Sequence, residues 1–184
     1  MINEYWRWEN EIKPDVCQRL INLAEDNWVS AETDDVVQNP DIRKGQTFFT
    51  SEEWIYDIFF PYMLKANENA EWKFDVSSSE PCQISKYNTS DHYSFHMDSL
   101  GTWPTKFNCP EKPFIHGKTR KISMTCTLNK DFEGGELEFV NDYSLDASQG
   151  TIIFFPSFMQ HRVKPITKGT RYSLVLWFLG EPWR

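Results

Sequence analysis

Two periodicities divide the chain. Its first third carries apolar residues at three-to-four spacing, and its remainder reads as short runs in which apolar and polar positions alternate. The period of two is plainest at 171–179, where Arg171, Ser173, Val175 and Trp177 fall on one face and Tyr172, Leu174, Leu176 and Phe178 on the other. Upstream, 151–155 is β-branched and aromatic, Pro156 and Ser157 break it, 161–166 forms a second run, and 167–170 supplies a Gly-containing turn. The runs CQISKY, HYSFHMD, KISMTCTLN, ELEFV and DYSLDA precede these three. Eight strands in succession predict a mainly β fold, a double-stranded β-helix or jelly roll.

Helical spacing appears twice before them. Val16, Cys17, Leu20, Ile21 and Ala24 predict a helix over 14–26 with Pro14 in its first turn. Trp54, Ile55, Ile58, Phe59, Met63 and Leu64 predict a second over 54–69, opened by Ser51, Glu52 and Glu53 and kinked or divided at Pro61. Both would pack on one sheet and cover the apolar side of the last strand. Around them, 28–33 and 43–49 read as strands, 34–40 as a polar loop, and Tyr5, Trp6 and Trp8 as the anchors of an N-terminal edge strand or arm. The stretch 100–119 holds Gly101, Pro104, Pro110, Pro113 and Gly117, and reads as a lid or substrate-recognition loop.

The 184 residues fit one domain, 1–184, with 1–80 as helical support and 81–180 as the jelly-roll core. A net charge of −8 argues against an extended nucleic-acid footprint. The longest apolar runs fall short of the ~20 residues of a membrane span, and no basic-then-apolar leader opens the chain. Cys17, Cys82, Cys109 and Cys126 lack CxxC spacing and read as free thiols, which suits a cytoplasmic setting. Nothing in the pattern speaks to oligomeric state.

The chemistry concentrates at three places. In HYSFHMD, His96 and Asp98 stand at i and i+2, so on a strand an imidazole and a carboxylate converge. With His161 they make two histidines and a carboxylate, a facial set that suits non-haem iron(II). Ten residues on, Arg171 heads a strand with Ser173 on the same side, an arrangement able to hold a carboxylate. His92 and His116 have no such company, and Cys109 with His116 is at most half a zinc site.

These elements, with Tyr87, Tyr93 and the GGEL of 134–137, occur in an order that resembles the iron(II) and 2-oxoglutarate-dependent dioxygenases, in their prolyl 4-hydroxylase-like branch. The resemblance spans about half the chain. It implies a hydroxylase using Fe(II), 2-oxoglutarate and O2, with ascorbate an admissible accessory reductant. It places the metal on His96, Asp98 and His161, the distal carboxylate of 2-oxoglutarate on Arg171, and support for that cosubstrate on Tyr87 and Ser173. Tyr93, Trp177 and Arg120 match substrate-facing positions, and a peptide or protein carrying proline is the implied partner. Relatives that halogenate lack the carboxylate ligand, so Asp98 favours hydroxylation. The alternatives are the same chemistry on a small molecule, free amino acid or alkylated base, and a non-enzymatic jelly-roll module that binds metal.

Overall fold

The structure is a computed structural model and describes residues 3–31, 39–99, 106–140 and 144–183. Its elements, in chain order, are β1 (Trp6–Trp8), α1 (Pro14–Leu23), β2 (Val29–Ser30), β3 (Arg43–Lys44), β4 (Gln46–Thr50), α2 (Glu53–Asn69) and β5 (Ser78–Ser79). The second part follows with β6 (Cys82–Tyr87), β7 (His92–His96), β8 (Thr119–Thr127), β9 (Phe132–Gly134), β10 (Leu137–Phe139) and β11 (Ser144–Leu145). It closes with β12 (Ile152–Pro156), β13 (His161–Val163), β14 (Ile166–Gly169) and β15 (Arg171–Gly180).

Two antiparallel sheets face each other, as the run of short strands predicts. The larger has the order β1-β12-β8-β15-β6-β4-β2, and the smaller β11-β10-β13-β7-β3. β15 lies centrally in the larger sheet, pairing with β8 along one edge and with β6 and then β5 along the other. Its alternation has the predicted parity. Leu174, Leu176 and Phe178 are fully buried in a core shared with Leu20 of α1 and Ile55, Phe59 and Met63 of α2. Fully burying such side chains contributes roughly 1.5–3 kcal/mol each, which holds the helices to the outer face of this sheet. β12 alternates in the same way: Ile152 and Phe154 join that core, while Ile153 and Phe155 pack with Leu137, Phe139 and Leu145 between the sheets. β1 pairs with β12 as an edge strand, and Trp8 meets Tyr62 and Phe154 edge to face.

Several boundaries differ from the sequence reading, for identifiable reasons. α1 ends at Leu23, where the Ala24 N–H folds back to the Ile21 carbonyl. α2 runs unbroken through Pro61, because both Pro61 and Asp57, four residues earlier, are exposed and water can satisfy the carbonyl that loses its donor. Leu64 sits on the outer face of that helix, 53% exposed, and is not part of its buried stripe. The run 161–166 is not one strand. β13 stops at Val163, Pro165 breaks the ladder, and 166–169, which takes the last residue of that run and most of the segment 167–170 read as a turn, forms β14 paired with β9. Of the strand expected at 28–33, Val29–Ser30 is present and 32–33 lies outside the described residues, as does most of the loop 34–40.

The stretch expected to be a lid divides likewise. Residues 100–105 lie outside the described residues, and the remainder is tied down. The Phe107 N–H donates to the Lys118 carbonyl, the Gly117 N–H to the Phe107 carbonyl, and the Ser78 hydroxyl of β5 to the Phe114 carbonyl.

Candidate active site

The inner face of the larger sheet and the facing strands of the smaller one enclose a cavity of about 690 Å³. The chemical face of β15 lines it in full, with Arg171, Ser173, Val175 and Trp177. Such a volume is in the range of small-molecule and cofactor sites.

β7 and β13 place the two histidines directly opposite each other, His161 in register with His96. Asp98 lies two residues past the end of β7, so its convergence comes from a bend and not from strand alternation, contrary to the sequence argument. The outcome is nonetheless a tight cluster. Nε2 of His96 lies 3.6 Å from one Asp98 oxygen and Nε2 of His161 3.6 Å from the other, with the three ligand atoms all within 4.8 Å of one another. Each imidazole is fixed through its other nitrogen: Nδ1 of His96 donates to the Ser94 carbonyl at 2.8 Å and Nδ1 of His161 to the Met159 carbonyl at 2.9 Å. Both rings therefore turn an Nε2 lone pair toward the carboxylate, the tautomer that metal ligation requires.

Electrostatics act in the same direction. Burial pushes the Asp98 carboxyl up, but His161, His96 and Arg120 outweigh it and hold it well below the usual carboxylate range. Burial lowers the pKa of His161 and favours its neutral ring. An ionised carboxylate and a neutral imidazole are the metal-ready forms. The donor set thus fits a divalent first-row metal with coordination positions left for ligands.

A second part of the cavity lining has the chemistry to receive an anion. Arg171 is 4% exposed and donates to the Ser173 hydroxyl at 3.1 Å, and among the described residues no carboxylate lies within ion-pair distance of it. Burial lowers its pKa, opposed by Tyr87, Cys126 and Glu136. A guanidinium stays charged in proteins, so a buried one with no counter-charge beside it is chemically suited to an anion. Tyr87, opposite Arg171 in the β6–β15 register, lines the same space.

The GGEL motif makes room for this arginine. Gly135 has φ +72°, and a Cβ there would lie 2.9 Å from Arg171 Cδ and 2.4 Å from Ile166 Cδ1. Gly135→Ala is expected to lose about 1–2 kcal/mol of stability from the left-handed backbone alone. It should also displace the guanidinium. Urea unfolding of the variant beside the parent checks the first effect, and anion titration the second.

The three residues aligned with substrate positions are brought to the cavity, but not with free faces. Tyr93 stacks on His96 with ring centroids 3.5 Å apart, and the Arg43 guanidinium covers its ring at 4.6 Å. These neighbours cannot share one face, so Tyr93 offers a ligand its edge and not a flat wall. Trp177 carries the Arg120 guanidinium over its ring at 4.1 Å, while its buried Nε1–H has no hydrogen-bond partner among the described residues. Arg120 itself is engaged by Glu80. Sequence reasoning missed Glu80, Arg43, Thr47, Gln83 and Thr125, all of which line the cavity. No spacing marks them, since four of them lie on strands that become neighbours only through sheet pairing. His92 and His116 stay outside, their ring nitrogens against the carbonyls of Ser90 and Asp41 and the N–H of Cys109.

A family model described as the 2OG-Fe(II) oxygenase superfamily matches residues 82–179, more than half of the chain. A PKHD-type hydroxylase of Idiomarina loihiensis is 35% identical over 100 residues, 51% of this chain and 39% of that protein. Another from Aliarcobacter butzleri is 25% identical over 173 residues, 88% of this chain and 70% of the relative. The match thus spans about two fifths of the first relative's length. Among solved structures, the viral collagen prolyl hydroxylase of Paramecium bursaria Chlorella virus-1, in complex with 2OG, superposes with a TM-score of 0.72 at 18% identity over 97% of both chains. That likeness establishes a shared fold.

Proposed function

Because the chain belongs to the 2OG-Fe(II) oxygenase superfamily, we propose that it is a hydroxylase that couples oxidative decarboxylation of 2-oxoglutarate to hydroxylation of a peptidyl proline. The observation that carries the reading is the pairing, in one cavity, of a three-ligand cluster with a buried arginine that has no carboxylate partner among the described residues. His96, Asp98 and His161 would hold Fe(II), which when bound supplies activation of O2. Arg171, supported by Ser173 and Tyr87, would take the distal carboxylate of 2-oxoglutarate and so fix the direction in which its keto-acid end points. In balance, substrate C–H, 2-oxoglutarate and O2 give substrate C–OH, succinate and carbon dioxide.

The chain's own contribution is orientation and exclusion of water. The ligand imidazoles are locked by their Nδ1 bonds, and apolar Leu137, Phe155, Val163 and Met124 line the cavity around them. A dry wall confines oxidation to the bound substrate. At the rim, exposed Val29, Phe49 and Met97 suit an apolar ring such as proline. The name of one structural neighbour, a collagen prolyl hydroxylase, favours the same substrate class, and the name PKHD-type hydroxylase favours hydroxylation. Among the described residues no helix is long and apolar enough to cross a membrane.

The test is an assay with Fe(II), 2-oxoglutarate and O2 in which proline-containing peptides, their alanine counterparts and free amino acids compete. Mass spectrometry is expected to find one added oxygen on proline peptides only. Oxidation of free amino acids with every peptide untouched would move the assignment to a small-molecule hydroxylase.

A further inference from the structure

Arg120 sits at the start of β8, and three contacts of its guanidinium bear on the metal cluster. Nε and Nη2 grip the two oxygens of Glu80 at 2.5 and 2.8 Å, Nη1 donates to the main-chain carbonyl of Asp98 at 3.0 Å, and the plane lies over the Trp177 ring. The Arg120 and Glu80 side chains are only 14% and 13% exposed. A two-point carboxylate contact with a stacked ring leaves such a fork little freedom to turn.

The contact with the Asp98 carbonyl matters because of where Asp98 stands. The β7–β13 ladder ends at His96, so strand pairing does not fix the backbone that carries the carboxylate. The peptide unit joining Asp98 to Ser99 is instead held from both sides. Its carbonyl accepts from Arg120, and its N–H, that of Ser99, donates to the Ser157 carbonyl at 2.9 Å. Ser157 follows β12 and is itself buried, its hydroxyl 2.9 Å from that of Ser123. One clamp therefore comes from β8 through a charged side chain and the other from the end of β12 through the main chain.

We propose that Arg120, oriented by Glu80, is a positioning residue that fixes the Asp98 carboxylate for metal binding. This rests on the reading that His96, Asp98 and His161 hold a divalent metal. It gives Arg120 a different role from substrate contact, and it gives Glu80 a role. Lysine cannot replace the arginine, because one ammonium cannot grip both Glu80 oxygens in a plane and reach the Asp98 carbonyl as well.

The experiment titrates Co(II), as an air-stable stand-in for Fe(II), into metal-free parent, Glu80→Gln, Arg120→Lys and Arg120→Met proteins, following the ligand-field absorption of the bound ion. Loss of such a supporting partner typically weakens metal binding by about 10–100-fold, and that loss is expected in all three variants, with a changed absorption envelope. Glu80→Gln keeps shape and volume, so it reports even if Arg120→Met fails to fold. A packing role alone would lower the melting temperature while leaving the Co(II) constant and the spectrum of the folded protein as in the parent, and that result overturns the proposal. A parent that binds no Co(II) would remove the metal reading itself, and this inference with it. Parent binding with equal binding by the variants would remove only the inference.

Discussion

Arg171→Met protein is expected to need at least about 30-fold more 2-oxoglutarate for half-maximal turnover, at unchanged metal content. Truncating one partner of a buried, hydrogen-bonded charge pair costs about 2–5 kcal/mol, and 1.4 kcal/mol is a factor of ten. The upper part of that range applies to a desolvated arginine, and this one is 4% exposed with Ser173 as its one direct hydrogen-bond partner among the described residues. Methionine fills much of the same volume without a charge, so the fold should persist. Titration of 2-oxoglutarate against succinate formation checks it. An unchanged constant would mean that the cosubstrate carboxylate is held elsewhere in the cavity.

Asp98→Ala should abolish turnover. Changes to partners of metal ligands alone cost about 10–100-fold, so loss of a ligand is expected to exceed 100-fold. The fold should survive, because Asp98 lies outside the β7–β13 ladder and its main-chain clamps do not involve the carboxylate. Circular dichroism and succinate release, measured on the same preparation, separate the two effects. Retained activity in a folded variant would remove Asp98 from the metal site.

What the sequence made legible follows from which interactions are local. The face of β15 could be read residue by residue, because period-two alternation is a property of the strand itself: Arg171, Ser173, Val175 and Trp177 do line the cavity. The convergence of His96 and Asp98 was also legible, although by a strand argument where the backbone in fact bends after His96. Arg43 and Gln83 were not, because what brings them to the site is the pairing of distant strands, and Glu80 was not because it sits in the short link between β5 and β6, both of which pair with β15. The roles of Tyr93 and Arg120 were obscured for a related reason. A sequence position says that a side chain is near a pocket, but not that its ring or fork is already occupied, as Tyr93 is by His96 and Arg120 by Glu80. The split at Pro165 needed the partner strand β9 to be known before 167–169 could be read as anything but a turn.

Hydroxylation coupled to 2-oxoglutarate makes one demand that neither a passive metal-binding module nor an uncoupled oxidase meets, which is that the two atoms of dioxygen part company. Incubation with Fe(II), 2-oxoglutarate, a proline-containing peptide and isotopically labelled O2, followed by mass spectrometry of both products, is therefore the most direct test. One labelled oxygen is expected in succinate and the other in the hydroxyl on the proline ring, with both signals lost in Asp98→Ala protein. Succinate without label, or no succinate from metal-loaded parent protein, would contradict the assignment.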